Sequence, residues 1–138
     1  MQEYKFMVPG RAVPAKRMTQ KEVKVAALAL KGCWPDSEAL VKKINDIHRY
    51  WNYKETIAWS AVAAGVKMFK GRASISVTVY VCGGAVGDWD NYGKSVSDAL
   101  KGIAWKDDNG RYLRGGSSVV EFCDTKAEER TEVVVKEG

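Results

Sequence analysis

Acidic residues and one lysine are spaced in this chain as a metal-assisted reaction would need. Asp88 and Asp90 flank a single tryptophan, and the adjacent pair Asp107 and Asp108 follows later. Two residues apart on an extended segment, Asp88 and Asp90 would point to the same side. Lys94 follows Asp90 by four residues, so on a helix the two side chains would share a face. These residue types could hold a divalent cation and a phosphate group.

That chemistry depends on the two acidic pairs coming together. If the segment after Asp90 is a helix that folds back against the strands, three or four carboxylates converge. Converging carboxylates repel one another and need a compensating cation. Mg²⁺ prefers oxygen ligands, and Mn²⁺ is compatible with the same set. Such an ion beside a phosphodiester activates water and neutralises developing charge, while Lys94 adds a further positive charge.

Each part of the pattern also has an ordinary structural interpretation. Aspartates at strand ends and helix starts commonly cap the backbone. Asp107 and Asp108 precede Asn-Gly, as turn residues often do. Asp98 would be the simplest partner for Lys94, again four residues apart. Taken residue by residue, a metal site and a set of caps and turns both remain open.

The charge of the chain is uneven. Its formal net charge is +5, with 14 Lys and Arg against 6 Asp and Glu in residues 1–87, and 8 against 11 in residues 88–138. A basic front half suits a polyanionic partner such as nucleic acid, although solubility alone is an alternative. Arg11, Lys16 and Arg17 lie in a loop punctuated by proline and glycine, which makes them candidate phosphate contacts.

Composition excludes several other classes. A chain of 138 residues predicts a single domain over residues 1–138. No apolar run reaches the length of a membrane helix, and the first residues do not resemble a signal peptide. Three widely spaced cysteines and one histidine do not match the pattern of a disulfide framework or a structural zinc site, so reduced thiols and a cytoplasmic location are expected.

Periodicity predicts an α+β, or mixed α/β, fold with a mixed sheet packed against helices. The predicted strands are residues 3–8, residues 72–82 (which alternate cleanly), a short strand before the Asp-Asn-Gly turn, and a terminal hairpin of SSVVEFCDT and TEVVVKE. Four helices are predicted. The first begins near Thr19, where Glu22 completes a capping box, and the second begins near Asp36. The third runs from about Asn52 to Ala64, and the fourth, capped by Asp90 or Asn91, from about Tyr92 to Lys101.

The acidic stretch resembles the RusA family of Holliday-junction resolvases, small endonucleases of phages and prophages. The resemblance covers a D-x-D-N element, a lysine four residues later, D-A-L, an aromatic residue and a paired D-D. Here these are Asp88, Asp90, Asn91, Lys94, Asp98-Ala99-Leu100, Trp105 and Asp107-Asp108. The loop PGRAVPAKRMT is similar to the basic N-terminal loop of phage members. Residues 20–47 match no part of the family pattern.

The resemblance implies roles for individual residues. Asp88, Asp90 and Asp108 would be the catalytic, metal-binding aspartates, and Lys94 the catalytic lysine. Because Asn109 and Gly110 follow the acidic pair in place of the usual residues, Asp107 remains an alternative to Asp108.

It also implies an activity. Members are Mg²⁺-dependent homodimers of α/β fold that cut four-way DNA junctions symmetrically in recombination and repair, and two symmetric cuts suit a twofold dimer. The alternatives are a non-catalytic phage DNA-binding module and a metal-dependent nuclease acting on flaps or other branched DNA.

Overall fold

A computed structural model describes residues 2–138. Over this range the chain forms four strands and three α-helices, with one short 3₁₀ turn at Lys126–Glu128. In chain order they are β1 (Glu3–Pro9), α1 (Gln20–Leu30), α2 (Glu38–Ala63), β2 (Ala73–Val81), α3 (Trp89–Ala99), β3 (Leu113–Phe122) and β4 (Arg130–Glu137). The four strands form one mixed sheet, so the predicted α+β class is confirmed.

The sheet has the strand order β1-β4-β2-β3. Strand β4 runs antiparallel to both β1 and β2, whereas β2 and β3 are parallel. Parallel neighbours need a crossover connection, and α3 supplies it. Helix α3 packs closely on β3, because a Cβ added at Gly93 would lie 3.0 Å from the Cβ of Ser118. The start of α3 is thereby placed over the middle of the edge strand.

The predicted terminal hairpin is wrong. Strand β4 lies between β1 and β2, so both of its edges are already paired and β3 cannot join it. Its inward residues Thr131, Val133 and Val135 are fully buried, which favours a central position. Most of β3 is exposed, and this strand occupies the sheet edge.

The middle of the chain holds one helix where two were predicted. The two helices expected near Asp36 and from Asn52 form a single helix of 26 residues, α2. Its sequence has no proline or glycine, and one buried stripe runs along its whole length: Ile44, Ile47, Tyr50, Tyr53, Ile57 and Ala61. The expected capping box of α1 is confirmed, since the hydroxyl of Thr19 accepts a hydrogen bond from the backbone N–H of Glu22 at 3.1 Å.

Two hydrophobic clusters hold these elements together. The larger one lies between the sheet, α3 and the C-terminal half of α2. The smaller one joins α1 to the N-terminal half of α2 through Ala26, Ala29, Ile44 and Ile47. Residues 20–47, which the acidic-motif resemblance did not cover, thus form α1 and the start of α2 around a small core of their own. None of the helices described between residues 2 and 138 combines the length and apolarity needed to cross a membrane.

Candidate active site

Helix α3 begins one turn earlier than predicted, with Asp88 rather than Asp90 or Asn91 at its N-cap. The side chain of Asp88 makes no capping hydrogen bond, and Asp90 lies in the first turn. Both carboxylates are exposed. The positive end of the helix dipole favours negative charge at this position, so two free carboxylates are tolerated here.

A groove is lined by the start of α3 and by the edge strand β3. We call it the acidic groove. Its cavity volume is about 290 Å³, and its lining includes Asp90 and Asp108 together with Trp89, Gly93, Ser97 and residues 115–118. Two of the predicted catalytic aspartates therefore share one concave surface. Asp88 precedes this groove in the chain but is not part of its lining.

A second groove of about 520 Å³ lies between α3, α2 and the loop before α1. We call it the basic groove, because its lining includes the cations Lys16, Arg17, Lys54 and Lys94. Asp98 and Asp108 also line it. Asp108 thus lines both grooves. It is the residue at which the acidic groove, with the predicted metal ligand Asp90, meets the basic groove, with the predicted phosphate contacts Lys16 and Arg17.

Asp108 is positioned by the segment that precedes β3. The predicted short strand is not formed there: residues 102–104 are a turn closed by a single bridge between Lys101 and Trp105, and residues 106–112 form no strand. Trp105 is 2% exposed, and its indole N–H donates to the carbonyl oxygen of Ser97 at 3.0 Å. This bond ties the turn to α3, which carries Asp90 and Lys94.

The two members of the acidic pair have different surroundings. Asp107 accepts a hydrogen bond from the backbone N–H of Asp108 at 2.8 Å and lies 3.4 Å from the ammonium of Lys101. The hydrogen bond from Asp108 is the main reason that the pKa of Asp107 is lowered, and Lys101 adds to the effect. Asp107 is engaged within the turn, whereas the half-buried Asp108 lines the two grooves.

The ordinary structural interpretation required an ion pair between Lys94 and Asp98. That pair is not formed. Asp98 instead binds Lys54 of α2, with 2.8 Å between the ammonium nitrogen and a carboxylate oxygen. Lys54 also lies 4.7 Å from the ring centre of Tyr50. Burial, with smaller contributions from Asp98 and Asp108, raises the pKa of Tyr50 to about 12. Throughout residues 2–138, no carboxylate lies within 4.0 Å of the Lys94 ammonium, which leaves that cation available to a ligand.

The predicted basic loop divides into two parts. Lys16 and Arg17 line the basic groove, where Lys16 lies 3.5 Å from Asp46. Arg11 instead binds Glu129 at 2.7 Å and donates to the carbonyl oxygen of Ala85 at 2.8 Å. Its guanidinium therefore joins the loop before α1 to the loop before α3.

Glu129 was missed by the sequence reasoning. It is only 7% exposed and also accepts a hydrogen bond from the backbone N–H of Cys82 at 2.9 Å. That bond, followed by the contact with Arg11, lowers its pKa. We call Arg11, Glu129, Cys82 and Ala85 the Glu129 anchor. Nothing in KAEER, which reads as a polar connection, distinguishes this glutamate before the strands are paired.

The fit of a divalent ion can be judged from the three aspartates. Within the part of the chain that the structure describes, no three or more His, Cys, Asp or Glu residues lie close enough to hold a metal ion. Asp88, Asp90 and Asp108 are therefore not a preassembled cage. Their donor chemistry does fit Mg²⁺, which commonly takes one or two carboxylates together with water and substrate phosphate. In the same described residues, none of the three forms an ion pair within 4.0 Å.

Comparison with known proteins gives a family for this arrangement. The family model described as Endodeoxyribonuclease RusA matches residues 9–134, a range that includes both grooves and the Glu129 anchor. None of the curated proteins compared with the chain matches it. Because the family model spans nearly the whole sequence, the resemblance seen in the acidic motif is confirmed. The chain belongs to the RusA family of endodeoxyribonucleases.

Proposed function

We propose that the protein is a Mg²⁺-dependent endodeoxyribonuclease that resolves four-way DNA junctions by paired, symmetric phosphodiester cleavage. The observation that carries the proposal is the position of Asp108, which lines both the acidic groove and the basic groove. A phosphate held by the cations of one groove would therefore lie beside the carboxylates of the other. The family supports nuclease activity on DNA, and the grooves supply the residue types for it.

Asp88, Asp90 and Asp108 are the proposed metal ligands. Mg²⁺, or Mn²⁺ in its place, would supply a more acidic water and offset the charge that builds on the phosphate. Among residues 2–138 the three carboxylates have no cationic partner, so each can serve as a ligand without breaking an ion pair described there. Because they are not a preassembled cage, we propose that the substrate phosphate completes the set of oxygen ligands.

Lys94 is the proposed catalytic cation. Since Asp98 is bound to Lys54, it does not neutralise Lys94. Its ammonium can donate a hydrogen bond to an oxygen of the scissile phosphate as negative charge develops there. Lys54 remains beside it in the basic groove and contributes to the local potential, although the bond to Asp98 offsets much of its charge.

Lys16 and Arg17 are the proposed phosphate contacts along the DNA backbone. Both line the basic groove, and contacts of this kind position DNA without reading its sequence. Arg11 was predicted to act with them. Its two hydrogen-bonded contacts in the Glu129 anchor favour a supporting role, in which it fixes the loop that carries Lys16 and Arg17.

Paired cleavage requires two active sites. Four-way junctions offer two symmetric strands, and a twofold homodimer would present one site to each. We therefore propose a homodimer bound to branched DNA as the active species.

The deciding experiment is a substrate panel of four-way junction, flap and continuous duplex DNA, each incubated with Mg²⁺ or with EDTA. Paired cuts in the junction with Mg²⁺, and none in EDTA, are expected. Asp88→Asn, Asp90→Asn and Asp108→Asn should bind junctions yet fail to cut them, because each change removes a ligand charge and little volume. Asp36→Asn, an exposed change in the connection between α1 and α2, is the matched control.

Two results would contradict this proposal and favour another function. Binding without cleavage of any substrate in Mg²⁺ or Mn²⁺ would identify a non-catalytic DNA-binding module. Preferred cleavage of flaps over junctions would identify a flap nuclease, with the same ligands but a different substrate.

A further inference from the structure

Trp89 is an exposed aromatic residue between two of the proposed metal ligands. It is the first residue of α3, and 62% of its surface is exposed. Single exposed apolar residues are common and need no explanation by themselves. The position of this one is informative, because Trp89 lines the acidic groove together with Asp90 and Asp108.

The indole is not required to hold α3 in place. The backbone carbonyl of Trp89 accepts a hydrogen bond from the hydroxyl of Ser118, and Gly93 makes the close approach to β3. Trp105, in contrast, is buried and ties its segment to α3 through its indole N–H. The side chain of Trp89 is therefore free to contact a ligand.

The opposite wall of the groove is made of small residues. Gly115 has open space where a Cβ would lie, and Ser117 is exposed. Gly116 cannot carry a side chain without moving its neighbour, since an added Cβ would lie 2.4 Å from the carbonyl oxygen of Ile75. The wall facing Trp89 consequently leaves room for a flat group beside the aspartates.

We propose that Trp89 stacks on an unpaired base at the branch point of the DNA substrate and thereby favours branched over continuous DNA. Aromatic side chains stack on any base, because every base has a π-face. In a continuous duplex those faces are covered by neighbouring bases, whereas the stack is interrupted at a branch point and a base there is exposed at lower cost. This inference rests on the proposed nuclease function and adds a specificity residue to it.

The experiment compares Trp89→Phe, Trp89→Leu and Trp89→Ala for binding to a four-way junction and to a duplex in Ca²⁺. A junction with 2-aminopurine at the branch reports stacking by fluorescence quenching. Trp59→Ala is the matched control, because Trp59 is 67% exposed and lies outside both grooves. The Leu variant keeps apolar bulk without a ring, so it separates stacking from simple burial.

Stacking predicts that Trp89→Ala and Trp89→Leu lose at least about fivefold in junction affinity and most of the quenching, while duplex affinity stays unchanged. Trp89→Phe should retain both better than Trp89→Leu, and Trp59→Ala should match the wild type. An unchanged junction-to-duplex ratio in the Leu and Ala variants would overturn the inference. So would an equal loss for Phe and Leu, or a loss explained by a changed subunit association in sedimentation.

These outcomes are distinct from failure of the proposed function. If the wild type cuts junctions in Mg²⁺ and the Leu and Ala variants discriminate as well as it does, only the role of Trp89 is wrong. If the wild type cuts no DNA, the proposed function fails, and the binding ratios still decide whether Trp89 stacks on branch-point bases.

Discussion

The basic groove and the Glu129 anchor both bring cations close to carboxylates, but they differ in burial and in what remains free. In the anchor, Arg11 satisfies a glutamate that is only 7% exposed, and both of its contacts are to the protein. In the basic groove, Asp98 forms an ion pair with Lys54. Lys94, in contrast, has no carboxylate partner among the described residues.

This difference separates stability from function. Removing the cationic partner of a buried carboxylate leaves that charge unpaired, so the anchor is expected to matter for folding. An exposed cation without a partner contributes little to folding and can be given to a phosphate at small cost. The cations of the chain therefore fall into two groups: those that stabilise the fold and those that remain available to DNA.

The largest effect among the cations is expected at Lys94. Lys94→Ala should still bind junctions but cut at least about a hundredfold more slowly, because a preorganised charge at the scissile phosphate is lost. Lys94→Arg should restore little, since a broad planar group replaces a compact ammonium. Single-turnover cleavage at saturating enzyme is the measurement, because it removes binding from the comparison.

The control for Lys94 is Lys70→Ala, an exposed lysine outside both grooves, which should cut at the wild-type rate. A loss of less than about threefold in Lys94→Ala, which is under 1 kcal/mol of barrier, would return Lys94 to the ordinary helix surface.

A smaller effect should distinguish the two ends of the basic loop. Neutralising Lys16 and Arg17 together should flatten the dependence of log K on log salt by up to about 0.9 for each lost phosphate contact. Arg11→Ala should leave that slope nearly unchanged and lower the free energy of unfolding instead. Junction titrations at several salt concentrations, paired with chemical denaturation, would measure both.

If Arg11→Ala flattened the salt dependence of binding as much as the double variant does, Arg11 would be a DNA contact and not a structural residue of the anchor. An unchanged slope in the double variant would leave Lys16 and Arg17 as solvated loop residues.

The smallest effect concerns acid stability. The pKa of Glu129 is lowered from 4.5, first by the N–H of Cys82 and then by Arg11. A lowered folded-state pKa means that Glu129 contributes stability above pH 4.5, and that this contribution is lost as the pH falls through the folded value. Glu129→Gln should therefore have a lower free energy of unfolding than the wild type at pH 7. At pH 3 the difference in free energy of unfolding between the two proteins should be smaller. Denaturation across this range would reveal it, and parallel curves for the two proteins would argue against the anchor.

Local signals in the sequence predicted the local parts of this structure. The capping box at Thr19 and the alternation that became β2 needed only neighbouring residues, and both are confirmed. The RusA motif identified the family because its residues are close in the chain. These signals depend on periodicity and short-range hydrogen bonding, which a single sequence displays directly.

Features that depend on distant partners could not be predicted in this way. SSVVEFCDT and TEVVVKE are separated only by KAEER and resemble a hairpin, but β4 lies between β1 and β2, where its inward face is buried. Lys54 binds Asp98 across 44 positions, and Arg11 binds Glu129 across 118. No spacing rule reports such pairs, so the division of the cations into groove and anchor required the folded chain.

The most direct test of the account compares the two neighbours in the acidic pair. Asp107→Asn keeps an oxygen that can accept the N–H of Asp108, whereas Asp108→Asn removes a charge from the border of the two grooves. In single-turnover cleavage of a four-way junction with Mg²⁺, Asp108→Asn should lose at least about a hundredfold, and Asp107→Asn less than about tenfold. A large loss in Asp107→Asn with little change in Asp108→Asn would contradict the account.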